Sequence, residues 1–197
     1  MSQNPIADHF QNSLAGLTRA ARSEELQATV KAIADAITNA LCNGNKLLLI
    51  GNGGSAADAQ HIAAEIVGRY KKERPAWAAI ALTTDTSALT AIGNDYGIEQ
   101  MFSRQVQGLA RAGDVLIAIT TSGRSPNILA ALQVARELGV ITVGFTGTKG
   151  ESMRSLCDHL LIAPSDDTPV IQQIHMVAAH AICDDVERAV MNEPGKA

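Results

Sequence analysis

Apolar side chains recur every three to four positions along the first forty residues, at Ile6, Phe10, Leu14 and Leu17 and then at Leu26, Val30, Ile33, Ile37 and Leu41. That is the period of two amphipathic helices, and Gly44 supplies a stop. The period then changes. KLLLIG (46–51) is a continuous apolar run closed by glycine, the pattern of a strand buried on both faces. Similar runs follow as AAIAL (78–82), DVLIAI (114–119), VITVGF (140–145) and HLLIAP (159–164), with helical segments between most of them. This alternation predicts an α/β fold: a doubly wound, five-stranded parallel sheet flanked by helices, with the leading helices as an added N-terminal helical hairpin. Ser125-Pro126 followed by NILAALQVARELG reads as an N-cap, a proline at the first helical position and a terminal Gly139. The closing segment, about 168–190, carries Ile171, Ile174, Val177, Ala178, Ala181, Ile182 and Val186, a stripe broad enough to face both its own sheet and a partner. Together with residues 1–43 it is read as oligomer-forming material. The alternative is that these helices only cover one monomer's sheet.

Composition narrows the class. The 197 residues, 46% hydrophobic, 18% charged and 3% aromatic, suit a single domain over 1–197 without repeats or linkers. Sixteen basic against twenty acidic side chains give a net charge of −4, and no basic block exceeds Lys71-Lys72, so a nucleic-acid partner is not expected. The start, MSQNPIADHF, lacks a basic region followed by an apolar run, and no run of about 18 apolar residues occurs, which predicts a cytoplasmic protein with no membrane partner. Cys42, Cys157 and Cys183 lie far apart and outside any CxxC spacing, as expected of reduced, buried thiols.

In an open parallel sheet, ligands collect outside the carboxyl ends of the strands. The first loop there, Gly51-Asn52-Gly53-Gly54-Ser55, has glycines that permit positive φ and close approach of backbone amides. It fits a relaxed dinucleotide fingerprint, but the next strand ends at Leu82, about thirty residues on rather than twenty, so a nicotinamide cofactor is not expected. The second, Thr120-Thr121-Ser122-Gly123-Arg124-Ser125, offers hydroxyls, a glycine and a helix N-terminus to a phosphate dianion, or serves for capping alone. Asn94-Asp95, after SALTAIG, reads as an ordinary turn pair.

His61 and Glu65 stand one helical turn apart, a spacing that suits a surface ion pair, a metal chelate or an acid/base pair, the first being favoured on spacing alone. The last helix sets Gln172, His175 and His180 into an otherwise apolar stripe, where a buried polar group needs a partner. A neutral imidazole facing a carboxylate can act as metal ligand, general acid or both.

The stretches LLLIGNGGSAADAQHIAAEIVGRY, ERPAWAAIALTTDTSALTAIGNDYG, GDVLIAITTSGRSPN and IQQIHMVAAH, in this order and spacing, resemble the bacterial phosphoheptose isomerases of the sugar isomerase (SIS) domain family. The resemblance covers about residues 25–188 and fades in the N-terminal twenty-odd residues and in NEPGKA. It implies a homotetramer with active sites at subunit boundaries, converting sedoheptulose 7-phosphate to D-glycero-D-manno-heptose 7-phosphate for surface polysaccharide. It implies one zinc ion per subunit on His61, Glu65, Gln172 and His180, with Glu65 and His180 as acid/base residues. The implied substrate and phosphate contacts are Asn52, Gly53, Gly54, Ser55, Glu65, Arg69, Asn94, Asp95, Thr120, Thr121, Ser122, Ser125 and Gln172. Arg124 departs from the asparagine of many relatives and adds a cation beside the phosphate loop. A non-catalytic relative, which binds the replication initiator, lacks the glutamate and the last histidine of the metal set, so the presence of Glu65 and His180 favours the enzyme. A sugar-phosphate-sensing regulator would need an added DNA-binding domain, for which the chain has no room.

Gln172 and His180 pose a problem of reach. Eight helical residues rise about 12 Å and turn about 80°, whereas a zinc ligand atom lies about 2.0–2.2 Å from the metal. Either Gln172 lies at a loosened helix start or ligands come from two subunits, and the apolar stripe favours the second.

Overall fold

Strand β1 (Leu47–Gly51) pairs in parallel with β2 (Ala79–Ala81) on one side and β3 (Val115–Ile119) on the other. Strands β4 (Ile141–Gly147) and β5 (His159–Ala163) continue beyond β3, giving the order β2-β1-β3-β4-β5 with all neighbours parallel. The computed structural model describes residues 4–192; the first three residues and the tail from 193, hence most of NEPGKA, lie outside the described residues. The five apolar runs of the sequence are the five strands.

Alternate side chains of each central strand enter different cores, as two-sided burial demands. Leu47 and Leu49 join Val115, Ile117 and Ile119 beneath α2 (Glu24–Cys42), α3 (Gly54–Val67) and α7 (Thr168–Asn192). Leu48 and Ile50 join Leu116 and Ala118 beneath α5 (Ser103–Leu109), α6 (Pro126–Glu137) and the 3₁₀ segment Thr148–Leu156. Strand β2 departs from the two-sided expectation: as a three-residue edge strand packed mainly against α3, it leaves Ile80 44% exposed on its other face.

Helix α1 (Pro5–Arg22) packs against α7 through small residues, with a methyl at Gly16 meeting Val170 Cγ1 at 2.3 Å. Its apolar stripe faces the other way. Ile6 and Phe10 are each 70% exposed and Leu14 59%. That stripe adjoins a groove of about 440 Å³ between α1, α2 and α7, lined by Leu17, Leu26, Val30, Ile174, Val177 and Ala181 among others.

Cys157 and Cys183 are buried free thiols pushed up to about 12 by burial, while Cys42 is only partly buried. His175 is a core histidine. It is 1% exposed, its Nε2 lies 3.1 Å from the Thr146 carbonyl, and burial lowers it to about 4 despite that carbonyl.

Candidate active site

The winding leaves β1 outward to β2 and then crosses to β3, so its direction reverses between β1 and β3. The loops that leave these two strands flank the crevice where such sheets take ligands. In the first loop Gly53, at φ 55°, occupies the N-cap of α3 with no side chain capping it, and Ser55 is buried behind it. In the second, Gly123 turns at φ 66°. Ser125 occupies the N-cap of α6 as the sequence predicts, but its hydroxyl does not cap: it lies 3.1 Å from Thr120 Oγ1. The Ser122 hydroxyl accepts the Arg124 amide at 3.3 Å. Asn52 and Asn127 join the two loops by a reciprocal pair of amide hydrogen bonds, each 2.9 Å. Hydroxyls, exposed backbone and two helix N-termini thus converge on one crevice.

Helix α3 carries a second group away from that crevice. The rise from Gly54 to His61 is about 10 Å at 1.5 Å per residue. There His61 Nε2 lies 3.1 Å from Glu65 Oε1, a contact at the one-turn spacing the sequence shows. It is more than a surface pair. His180 of α7 joins it, with one ligand atom from each of His61, Glu65 and His180 falling within 4.8 Å of the others. The His61 and His180 rings meet edge to face at 5.1 Å, and Tyr70 stacks on His180 at 5.8 Å. Asp58, one turn before His61, has a buried Oδ2 with no hydrogen-bond partner; burial raises its carboxyl, opposed by the nearby His61.

These residues could hold a metal ion. Two imidazoles and a carboxylate are a nitrogen and oxygen set suited to zinc, whose tetrahedral ligands stand roughly 3.4 Å apart, so the widest gap in the cluster needs to tighten by up to about 1.4 Å. Gln172 is placed elsewhere. Its amide packs against Gly54, where an added Cβ would meet Nε2 at 2.4 Å. It lies in the second turn of a helix that begins at Thr168, not at a loosened start. Helices α3 and α7 therefore run alongside each other in the same direction, with Gln172 beside the glycine loop and His180 beside His61 and Glu65.

Sequence comparison places the chain in a family. The sequence model of the SIS domain matches residues 9–147. The phosphoheptose isomerase of Bradyrhizobium sp. (strain ORS 278) is 65% identical over 188 residues, 95% of each chain. This chain belongs to the phosphoheptose isomerase family. Solved members share its fold: the phosphoheptose isomerase from Neisseria gonorrhoeae superposes with a TM-score of 0.87 at 43% identity, covering 93% of this chain and 97% of that one. The one from Francisella tularensis gives 0.89 at 36% identity, covering 93% and 96%.

Of the residues implied by this family, the structure brings Asn52, Gly53, Gly54, Ser55, Thr120, Thr121, Ser122 and Ser125 to the two loops and Gln172 beside them. It brings His61, Glu65 and His180 together in the second group, and does not join Arg69, Asn94 or Asp95 to either. Asn94 and Asp95 are no turn: they occupy the last turn of α4 (Thr86–Tyr96), exposed and bonded to each other at 2.8 Å, because the helix capped by Asp85 runs on until Gly97 at φ 88°. Arg69 is exposed, with its Nε 3.7 Å from Glu73.

Four residues of this region escape the sequence reading. Asn127 is one. Tyr70, Arg74 and Glu187 are the others. Glu187 accepts the amides of Tyr70, Lys71 and Lys72 at 2.9, 2.8 and 2.9 Å and the Arg74 Nε at 3.1 Å. Burial works to raise its carboxyl, but the three amides and the guanidinium outweigh it and hold Glu187 below its ordinary value. No short-range pattern links Arg74 to Glu187, 113 positions apart.

Proposed function

We propose that this chain is an aldose-ketose isomerase converting sedoheptulose 7-phosphate to D-glycero-D-manno-heptose 7-phosphate, for heptose units of surface polysaccharide. The observation that carries the reading is the offset between the two groups. Gly54 of the first phosphate loop and His61 of the cluster are about 10 Å apart along α3 by helical rise, and an extended sugar chain from C2 to a phosphate on C7 spans about 9 Å at roughly 1.3 Å per bond. A phosphate held by Ser55, Thr120, Thr121, Ser122 and Ser125 therefore sets the reacting carbons beside the cluster.

Interconversion moves a proton between adjacent carbons through an enediolate and relocates protons on oxygen. Glu65 serves as the base at carbon and His180 as the proton shuttle at oxygen. A zinc ion held by His61, Glu65 and His180, one per subunit, would supply Lewis acidity to the oxygens that gain charge. Tyr70 and His61 pack on the His180 ring and limit its rotation. Asn52, held by Asn127, faces the crevice with its amide fixed.

The reading extends to assembly. The exposed stripe of α1 and the groove beside α7 support a homotetramer, in which the partner's copy of this face covers Phe10 and Val177 and brings Arg69, Asn94, Asp95 or Gln172 to sites they do not reach within one chain. A cytoplasmic location is in keeping with it; among the described residues no helix is long and apolar enough to cross a membrane. The deciding experiment incubates zinc-replete protein with sedoheptulose 7-phosphate and follows aldose phosphate formation. Turnover that chelation abolishes and zinc restores is the expected result. No turnover with this ketose would overturn the substrate, and full turnover in demetallated protein would overturn the metal.

A further inference from the structure

The cluster's three ligands stand on two helices, α3 and α7, and nothing in either helix alone fixes the gap between them. Beyond Glu65 the last turn of α3 leaves backbone carbonyls without helical partners. Arg74 supplies them: its Nη2 donates to the carbonyl of Glu65 at 2.8 Å and its Nη1 to that of Ile66 at 3.0 Å. The same guanidinium lies over the Trp77 ring at 3.7 Å and donates to Glu187, seven residues beyond His180 on α7. Both side chains are nearly inaccessible, at 1% and 2%. Glu187 in turn gathers the three successive amides that follow Arg69, the first of them that of Tyr70, whose ring lies on His180.

We propose that Arg74 and Glu187 are positioning residues of the active site: they clamp the end of α3 to α7 and so set Glu65 and Tyr70 against His180. Neither touches the reacting atoms. The inference rests on the metal-dependent reading above and assigns that site its support. A buried ion pair is a poor source of net stability, since desolvating two charges offsets most of their attraction. The geometry gives this one another use, because every bond it makes outside the pair goes to backbone of the segment 65–75 that bears Glu65 and Tyr70.

The test measures zinc affinity by competition with a chromophoric chelator, alongside kcat and KM, for Glu187→Gln in the full chain. Zinc affinity is expected to fall 10- to 100-fold, as it does when an outer support of a metal site is lost, and kcat with it, while KM stays within about twofold because the phosphate loops are two turns away. Leu132→Ala, which opens the core on the opposite face of the sheet, is the control: it lowers Tm and is expected to leave zinc affinity unchanged. If Glu187→Gln does not fold, the double variant Arg74→Met with Glu187→Leu removes both buried charges together and is held to the same thresholds. Wild-type zinc affinity in the Glu187 variant that folds, or an equal loss in Leu132→Ala, overturns the clamp. A wild-type protein whose zinc affinity is indifferent to His180→Ala overturns the metal reading and the clamp with it.

Discussion

The candidate site has two ends, and they are built from different material. At the sheet edge, the loops after β1 and β3 take their shape from glycine backbone, helix N-termini and hydroxyls within five residues of one another, with one cross-link, Asn52 to Asn127. Two turns along α3, the cluster depends on side chains from α3 and α7 that meet only after the sheet has formed and the last helix has docked. Each loop of the first end can be shaped almost as soon as its local turn forms. The second is only as accurate as the packing of two helices, which makes it the end where a distant substitution does most damage.

The largest expected effect removes chemistry from the second end without disturbing the first. Glu65→Gln should lower kcat by about 10³-fold, within the range ascribed to a positioned acid or base, with KM for the sugar phosphate changed little. Steady-state kinetics checks it, and a variant that keeps kcat would show that the carbon base lies elsewhere.

His175 stands between the ends on α7, tied to Thr146, and offers a pH test. Its value falls from 6.5 unfolded to about 4 folded, so the folded state binds fewer protons in that window. The stability it contributes is complete above pH 6.5 and is lost as pH falls toward about 4, a difference of about 3 kcal/mol at 1.36 kcal/mol per unit. Calorimetry of His175→Leu at several pH values should show a stability curve flatter than wild type between these limits, and parallel curves would refute the assignment.

The loop end is sharpened by the double variant Ser122→Ala with Ser125→Ala. Its donors meet a remote phosphate that is the same in ground and transition states, so KM should rise about 10- to 100-fold with kcat nearly unchanged. A loss confined to kcat would move the reacting carbons to this end.

The smallest signal comes from mixing Gln172→Ala with His180→Ala, each inactive alone. Partial recovery on subunit exchange, measured as a fraction of wild-type rate, is expected if Gln172 serves a partner's metal, in keeping with its place beside Gly54. Confirmed hybrids with no recovery would show that Gln172 serves no partner's metal.

The contrast also explains what the sequence discloses. The strands, the order of elements and both loops are legible because period, glycine and cap are local signals, and Ser125-Pro126 marks the start of α6 to the residue. Local signals mislead where a neighbour competes: the Ser125 hydroxyl prefers Thr120 to its own helix, and Asn94-Asp95 is carried into α4 by the Asp85 cap. His61 and Glu65 disclose a pair, while the third member, His180, becomes a partner only through tertiary packing. Arg74 and Glu187 look like ordinary surface charges, since nothing nearby in the chain marks them for burial.

Helix α4 fully buries none of its side chains, with Leu89 half-buried against the core beneath α5 and α6, although it carries Asn94 and Asp95. Its amides can therefore exchange with solvent through local opening that leaves both cores shut, at a free energy well below that of β1 or α7. Hydrogen exchange over residues 90–96 should then be indifferent to core substitutions such as Leu132→Ala, which speed exchange only where opening is global. The same segment should become the most strongly slowed part of the chain when a partner subunit or a sugar phosphate settles on it.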